Sequence, residues 1–171
     1  KIFLAGALAN NIFKERGLEL GTSLVSEVSS DLRGISNNDR VVTPVEVTVT
    51  NSKGEVINRK ANELQKDECI VDIGHETIKQ LESLVKESKT ILWNGPLGNY
   101  ELGFQDKTEV LAKMVADVTN SETISIVGGG DTIASINKLG LNERFTFIST
   151  GGGAMLDFLV NETLVGIDAL K

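Results

Sequence analysis

Three short segments carry residue types suited to holding negative charge. They are Trp93–Glu101 (WNGPLGNYE), Gly128–Thr132 (GGGDT) and Ser149–Ala154 (STGGGA). The chain has 17 glycines in 171 residues, which gives by chance roughly 0.2 GGG triplets. Two are present. Glycine lets a backbone approach a phosphate without Cβ interference, and the free N–H groups and dipole at a helix start then hold the charge. Gly151, Gly152 and Gly153 would point such donors at a phosphate. Gly128, Gly129 and Gly130 would do the same, with Thr132 in the same run, and Asp131 adds a hard oxygen suited to Mg²⁺. A plain helix cap explains Asp131 equally well, and tight turns without a ligand are the alternative for both triplets. In the first segment Asn94 can hydrogen-bond, Pro96 fixes the chain path and Glu101 can accept from ribose hydroxyls. Taken alone, an ordinary loop with a core Trp93 explains that segment better.

The elements around these segments give them their place. Lys1–Ala5 (KIFLA) reads as a strand, followed by a helix over Leu8–Arg16 that stops at Gly17. Leu24–Ser36 has a weak helical period. Val41–Thr50 alternates and is rich in β-branched residues, with Pro44 at a strand start or edge. A turn at Asn51–Gly54 brings Glu55–Arg59 back as a hairpin strand. From Cys69 the pattern is regular. Strands at Cys69–Ile73, Thr90–Trp93, Thr123–Val127 and Phe145–Ile148 alternate with helices at Glu76–Ser88, Lys107–Thr119, Asp131–Lys138 and Gly153–Leu159. This alternation implies an α/β fold, a doubly wound, mostly parallel sheet with helices on both faces in a Rossmann-like three-layer arrangement. Ligands of such sheets bind beyond the carboxyl ends of the strands, and all three segments fall there. With no internal repeat and no linker, residues 1–171 read as one nucleotide-binding domain. Because Lys1 already lies in a core-like strand, we expect that domain to be incomplete at its N-terminus.

Composition narrows the function. Hydrophobic residues make up 40% of the chain and aromatics only 5%, which suits a buried sheet. The net charge of −7 argues against a nucleic-acid surface, and no apolar run approaches the ~20 residues of a membrane span. One cysteine, Cys69, suits a reducing compartment such as the cytoplasm. There is no GxxxxGK[ST] and no GxGxxG, so neither a P-loop nor a dinucleotide oxidoreductase is indicated. His75 stands alone and reads as a surface loop residue. A non-catalytic interaction domain is the other alternative.

Taken together, the segments resemble the C-terminal, nucleotide-binding domain of phosphoglycerate kinases. Phe3–Lys14 (FLAGALANNIFK) is similar to that family's glycine-bearing strand-to-helix segment. Thr43–Glu46 (TPVE) resembles its LPVD, Asp72–Gly74 its DIG, and Trp93–Glu101 its WNGP…E loop. GGGDT, STGGGA and the ending Gly166–Leu170 (GIDAL) match in the same order. The chain departs from the family at Ala5, where glycine is usual, at Asn99, where an apolar residue is usual, and at His75, where proline is common. The family's GGAK segment and its basic N-terminal domain would precede Lys1.

The resemblance implies roles. Gly6 would line the adenine pocket. Asn94, Pro96 and Glu101 would contact the nucleotide, Glu101 through the ribose. Gly128, Gly129, Gly130, Asp131 and Thr132 would sit at the phosphates, with Asp131 beside Mg²⁺. Gly151, Gly152 and Gly153 would stabilise the phosphoryl group in flight, so Gly152→Val should stop transfer yet leave nucleotide affinity within a few fold. The implied enzyme is a glycolytic phosphotransferase with a carboxyl group as acceptor. Its substrates are ADP/ATP with Mg²⁺, and 3-phosphoglycerate or 1,3-bisphosphoglycerate held by the missing N-terminal domain. We expect a cytoplasmic monomer without nucleic-acid or membrane partners, and no activity from the isolated chain.

Overall fold

A computed structural model describes residues 1–26 and 32–170. Its backbone divides into two compact units, Lys1–Leu84 with Leu97–Lys107, and Val85–Pro96 with Thr108–Lys171.

The first unit opens with β1 (Ile2–Phe3) and α1 (Gly6–Glu15), then α2 (Arg33–Ser36) and β2 (Val41–Val42). β1 and β2 pair in parallel, Ile2 with Val41 and Phe3 with Val42. The weak helical period over Leu24–Ser36 yields helix only at α2, and its stretch 27–31 lies outside the described residues. The alternating run Val41–Thr50 is two strands. Pro44 is buried in the break between β2 and β3 (Glu46–Thr50), since proline cannot donate to a continuous ladder. Arg16 ties the neighbouring pieces. Its guanidinium donates to the Ser36 carbonyl at 2.7 and 3.1 Å and to Thr43 Oγ1 at 2.8 Å.

β3 forms a hairpin with β4 (Val56–Lys60) and pairs on its other side with β5 (Cys69–Ile73), antiparallel in both cases. The hairpin turn is set by Asn51, whose Oδ1 accepts the N–H groups of Lys53 and Glu55 at 3.0 Å each. β5 was expected in the parallel sheet. It pairs instead with the hairpin, a partner that strand–helix alternation cannot reveal. The core beneath combines Ala9 and Phe13 of α1 with Val47, Val49, Ala61 and Leu64. Emptying Phe13, which is 2% exposed, costs about 3–5 kcal/mol on truncation to alanine.

Two of the quoted motifs turn out to hold this unit together. α3 (His75–Glu87) begins directly after β5. Glu46 Oε2 accepts the Glu76 N–H at 2.9 Å, and the Glu46 carbonyl accepts the Gly74 N–H at 2.8 Å and the Thr77 hydroxyl at 2.6 Å. A Cβ on Gly74 would run into the Glu46 side chain. The TPVE glutamate thus satisfies the start of the helix that follows DIG.

In the second unit lie β6 (Thr90–Asn94), most of α4 (Asp106–Val118), β7 (Ile124–Gly128), α5 (Gly130–Lys138), a 3-10 turn at Asn142–Arg144, β8 (Phe147–Ser149), α6 (Gly152–Asn161) and α7 (Val165–Asp168). The strands form a parallel sheet in the order β6-β7-β8, with α5 and α6 packed against β7. The fold class is the expected α/β class, with a Rossmann-like parallel sheet flanked by helices. Trp93, Leu111, Ala112, Val115, Ala116, Val127 and Ile136 form its buried apolar interior.

Candidate functional site

Register assembles the site. Along the parallel sheet Asn94 stands opposite Gly128, and Gly128 opposite Ser149. The three strands therefore end level, and the chemistry-bearing segments leave from one edge of the sheet. Right after β6 the chain turns sharply. Gly95 adopts φ +94°, a conformation strained for any side chain, and its carbonyl accepts the Trp93 indole N–H at 2.8 Å. Pro96 then leads out of this unit.

Asn94 joins the two glycine triplets. Its Nδ2 donates to the Gly152 carbonyl at 3.1 Å. A Cβ on Gly152 would lie 2.5 Å from the Gly129 nitrogen and 3.0 Å from Asn94 Oδ1. One on Gly129, which has φ +95°, would lie 2.8 Å from Asn94 Oδ1 and 2.9 Å from the Gly95 nitrogen. On Gly128 it would meet the Met155 methyl at 2.9 Å. Packing against backbone demands Gly129 and Gly152, whereas at Gly128 the close atom is the flexible end of Met155, with the Gly152 Cα next at 3.2 Å. Gly130 and Gly153 differ, because a Cβ on either would meet nothing within 4 Å. Gly151 is intermediate, with only ordinary contact to Ala154 at 3.6 Å.

Both helices that start here lack side-chain caps. α5 has Gly129 at its cap position and α6 has Gly151, and neither cap is closed by a side-chain hydrogen bond. Asp131 is therefore not the cap. It lies exposed within the first turn of α5. Next to it Thr132 is fully buried, yet its hydroxyl has no hydrogen-bond partner among the described residues. It is one of four buried side-chain polar atoms so left among those residues, Ser135 Oγ on the same helix being another. Among the described residues no cluster of three or more His, Cys, Asp or Glu could hold a metal ion by itself. A phosphate-borne Mg²⁺ needs only one or two protein carboxylates.

Gly6 and Glu101 belong to the first unit. Gly6 opens α1 with φ +57° and is exposed, and a Cβ there would meet nothing within 4 Å. α1 likewise has no side-chain cap. Glu101 is exposed in a turn closed by Gly103 N–H on the Tyr100 carbonyl and Phe104 N–H on the Asn99 carbonyl, both at 3.1 Å. His75 is exposed, as expected, but it opens α3 instead of lying in a loop, and its Nδ1 lies 3.2 Å from Lys107 Nζ. Sequence reasoning missed two residues. Gly95 could have been found from the WNGP turn. Asp72 could have been found as the one charged residue in the apolar strand CIVDI. It is buried, and burial lifts its carboxyl from 3.8 to about 7 against the pull of the Ile73 N–H and the Lys107 charge.

The phosphoglycerate kinase family model matches residues 1–162. The chain belongs to the phosphoglycerate kinase family. It is 34% identical to the phosphoglycerate kinase of Mannheimia succiniciproducens, over 100% of this chain and 45% of that protein. For the phosphoglycerate kinase of Francisella tularensis subsp. novicida the identity is 35%, over 99% of this chain and 45% of that protein. Among solved structures, phosphoglycerate kinase from Coxiella burnetii superposes with a TM-score of 0.81 at 31% identity, covering 97% of this chain and 44% of that one. The kinase from Pyrococcus horikoshii OT3 gives 0.73 at 30% identity, covering 95% and 42%. The chain thus spans about half the length of the family members it matches, and its glycine triplets lie inside the matched region.

Proposed function

We propose that residues 1–171 are the nucleotide-binding part of a phosphoglycerate kinase. The whole enzyme would move a phosphoryl group between the acyl phosphate of 1,3-bisphosphoglycerate and MgADP, giving 3-phosphoglycerate and MgATP. The observation that carries this reading is Asn94, which joins two glycine triplets at two helix starts left without caps.

The chemistry asks little covalent work of the protein. It asks for in-line positioning and for donors matched to charge on the equatorial oxygens. Backbone N–H groups at the start of α5 are suited to the nucleotide's phosphates. Those of Gly151, Gly152 and Gly153 at the start of α6 are suited to the group in transfer, each worth about 3 kcal/mol of barrier in comparable oxyanion sites. The bare positions at Gly130 and Gly153 leave room for anionic oxygens to approach. Asp131, exposed beside the orphaned Thr132 hydroxyl, fits as the carboxylate that would hold the nucleotide's Mg²⁺. That ion would neutralise charge on the phosphate oxygens. In the first unit Gly6 and Glu101 are the candidates for adenine and ribose, and in the second Pro96 is a further candidate nucleotide contact. The phosphoglycerate would be held by the half of the enzyme that this chain does not span.

We place the enzyme in the cytoplasm as a monomer, without nucleic-acid or membrane partners. The net charge of −7 and the single cysteine support this. Among the described residues no helix is long and apolar enough to cross a membrane. Calorimetric titration of the chain with MgADP tests the reading. Saturable heat is expected, and none from a folded sample would sink it.

A further inference from the structure

Asp72 serves none of the steps above, yet it is built into a specific seat. β5 carries a bulge. Thr48 pairs with Asp72 and Val49 with Ile70, which leaves Val71 outside the ladder. The Val71 carbonyl accepts the Asn99 N–H at 2.7 Å. One residue on, Asp72 is 5% exposed and its Oδ1 accepts the Ile73 N–H at 2.8 Å. Its carboxyl lies against Gly98. A Cβ on Gly98 would be 2.5 Å from Asp72 Cγ, and 2.6 Å from both Asp72 Oδ1 and the Phe104 carbonyl. The segment that follows folds back on itself, with Leu102 N–H on Asn99 Oδ1 at 3.1 Å and Phe104 N–H on the Asn99 carbonyl. Of these two consecutive residues, Val71 holds Asn99 by a hydrogen bond and Asp72 packs its carboxyl against Gly98, just ahead of Glu101.

We propose that Asp72 is a positioning residue for Glu101: it seats residues 97–107 on β5 and so fixes where the Glu101 carboxylate meets the nucleotide. This rests on the reading of Glu101 as the ribose acceptor. The seat should respond to pH. Burial holds the Asp72 carboxyl at about 7. Facing it are Lys107 and Asp106 at the start of α4, the first lowering that value and the second raising it. His75 at the start of α3 reaches it through Lys107. From β3 the opposing residue is the uncharged Thr48, with Glu46 engaged at the start of α3. Tyr100 and Glu101 lie on the seated segment itself. Ionisation of a carboxyl pressed against a glycine backbone draws in water, so the seat loosens as pH rises.

The test uses the 171-residue chain with Asp72→Ala, Asp72→Asn and Glu101→Gln. Asp72→Ala should speed amide exchange about tenfold at residues 98–105 and leave other amides unchanged. It should also weaken MgADP binding about tenfold. Wild-type affinity should decline from about pH 6 to about pH 8, a step that Asp72→Asn abolishes and that Glu101→Gln, which lacks the carboxylate being positioned, diminishes; a full step surviving in Glu101→Gln would overturn the proposal. Exchange that rises uniformly, or locally without loss of affinity while Glu101→Gln does weaken binding, would overturn the proposal. If Glu101→Gln alone leaves affinity intact, it is the ribose reading that fails, and the positioning role falls with it. Should Asp72→Ala not fold, a pH step surviving in Asp72→Asn overturns the proposal.

Discussion

The two α6 glycines next to each other in sequence should behave in opposite ways on substitution by alanine. At Gly152 the new Cβ would sit 2.5 Å from the Gly129 nitrogen, whereas ordinary contact starts at 3.4 Å. One backbone must therefore move by the difference, about 0.9 Å. Overpacking of this kind costs about 1–3 kcal/mol. For a chain of this length that lowers the melting temperature by about 2–12 °C. The same shift displaces Gly129 at the start of α5, so MgADP affinity should fall as well. The sequence alone predicts that Gly152→Val in the full-length enzyme spares nucleotide affinity; the closeness of Gly152 to Gly129 argues instead for a loss. At Gly153 a Cβ meets nothing, and alanine in place of glycine stabilises by about 0.4–1 kcal/mol through the unfolded chain. Gly153→Ala should therefore melt higher than wild type and yet bind MgADP or MgATP more weakly, if its open side is where an anion lies. Thermal melts paired with calorimetry on both variants read the contrast. A Gly153→Ala chain that is more stable and binds normally would refute the claim that the open space serves a ligand. A Gly152→Ala chain with unchanged melting would refute the packing argument.

Asp131→Asn should weaken nucleotide binding more with Mg²⁺ than without it, since Gly129 and not Asp131 caps α5; equal loss in the two titrations would count against a metal ligand. Asp72 sets a pH dependence of stability with a defined sign. Its folded value of about 7 lies above its ordinary 3.8, so between those values the folded chain binds the extra proton, and stability falls as pH rises through that window, by at most about 4 kcal/mol. Denaturant melts of wild type and Asp72→Asn should converge near pH 4 and separate by pH 8, with the variant more stable at the higher pH, and parallel curves would contradict this. Finally, the chain alone should show no turnover in a coupled ATP assay with 1,3-bisphosphoglycerate and MgADP. With one substrate platform it forfeits an effective-molarity gain of about 7–11 kcal/mol, and measurable turnover would overturn its reading as half an enzyme.

What the sequence made legible follows from how local each signal is. Glycine triplets after apolar strands announced two helix starts without side-chain caps, because the requirement for absent side chains acts over a few residues. The alternation from Thr90 onward announced the parallel sheet, since each strand and its helix are adjacent in the chain. What sequence could not reveal depends on partners far away. Cys69–Ile73 looks like the other strands, and only pairing with Glu46–Thr50, some twenty residues earlier in the chain, takes it into an antiparallel sheet. The same holds for the glycines. Gly129, Gly130, Gly152 and Gly153 are equivalent letters in two triplets, but register at the strand ends gives them different duties. Gly129 is glycine because Asn94 and the Gly95 backbone occupy the space, and Gly152 because the Gly129 backbone and Asn94 do. Gly130 and Gly153 have open space instead, and their identity has no explanation in packing. Open space alone does not mark a ligand, since Gly34 and Gly166 are equally open; what sets Gly130 and Gly153 apart is that they stand in the first turns of α5 and α6 at the ends of β7 and β8, where backbone N–H groups are unpaired within the helix.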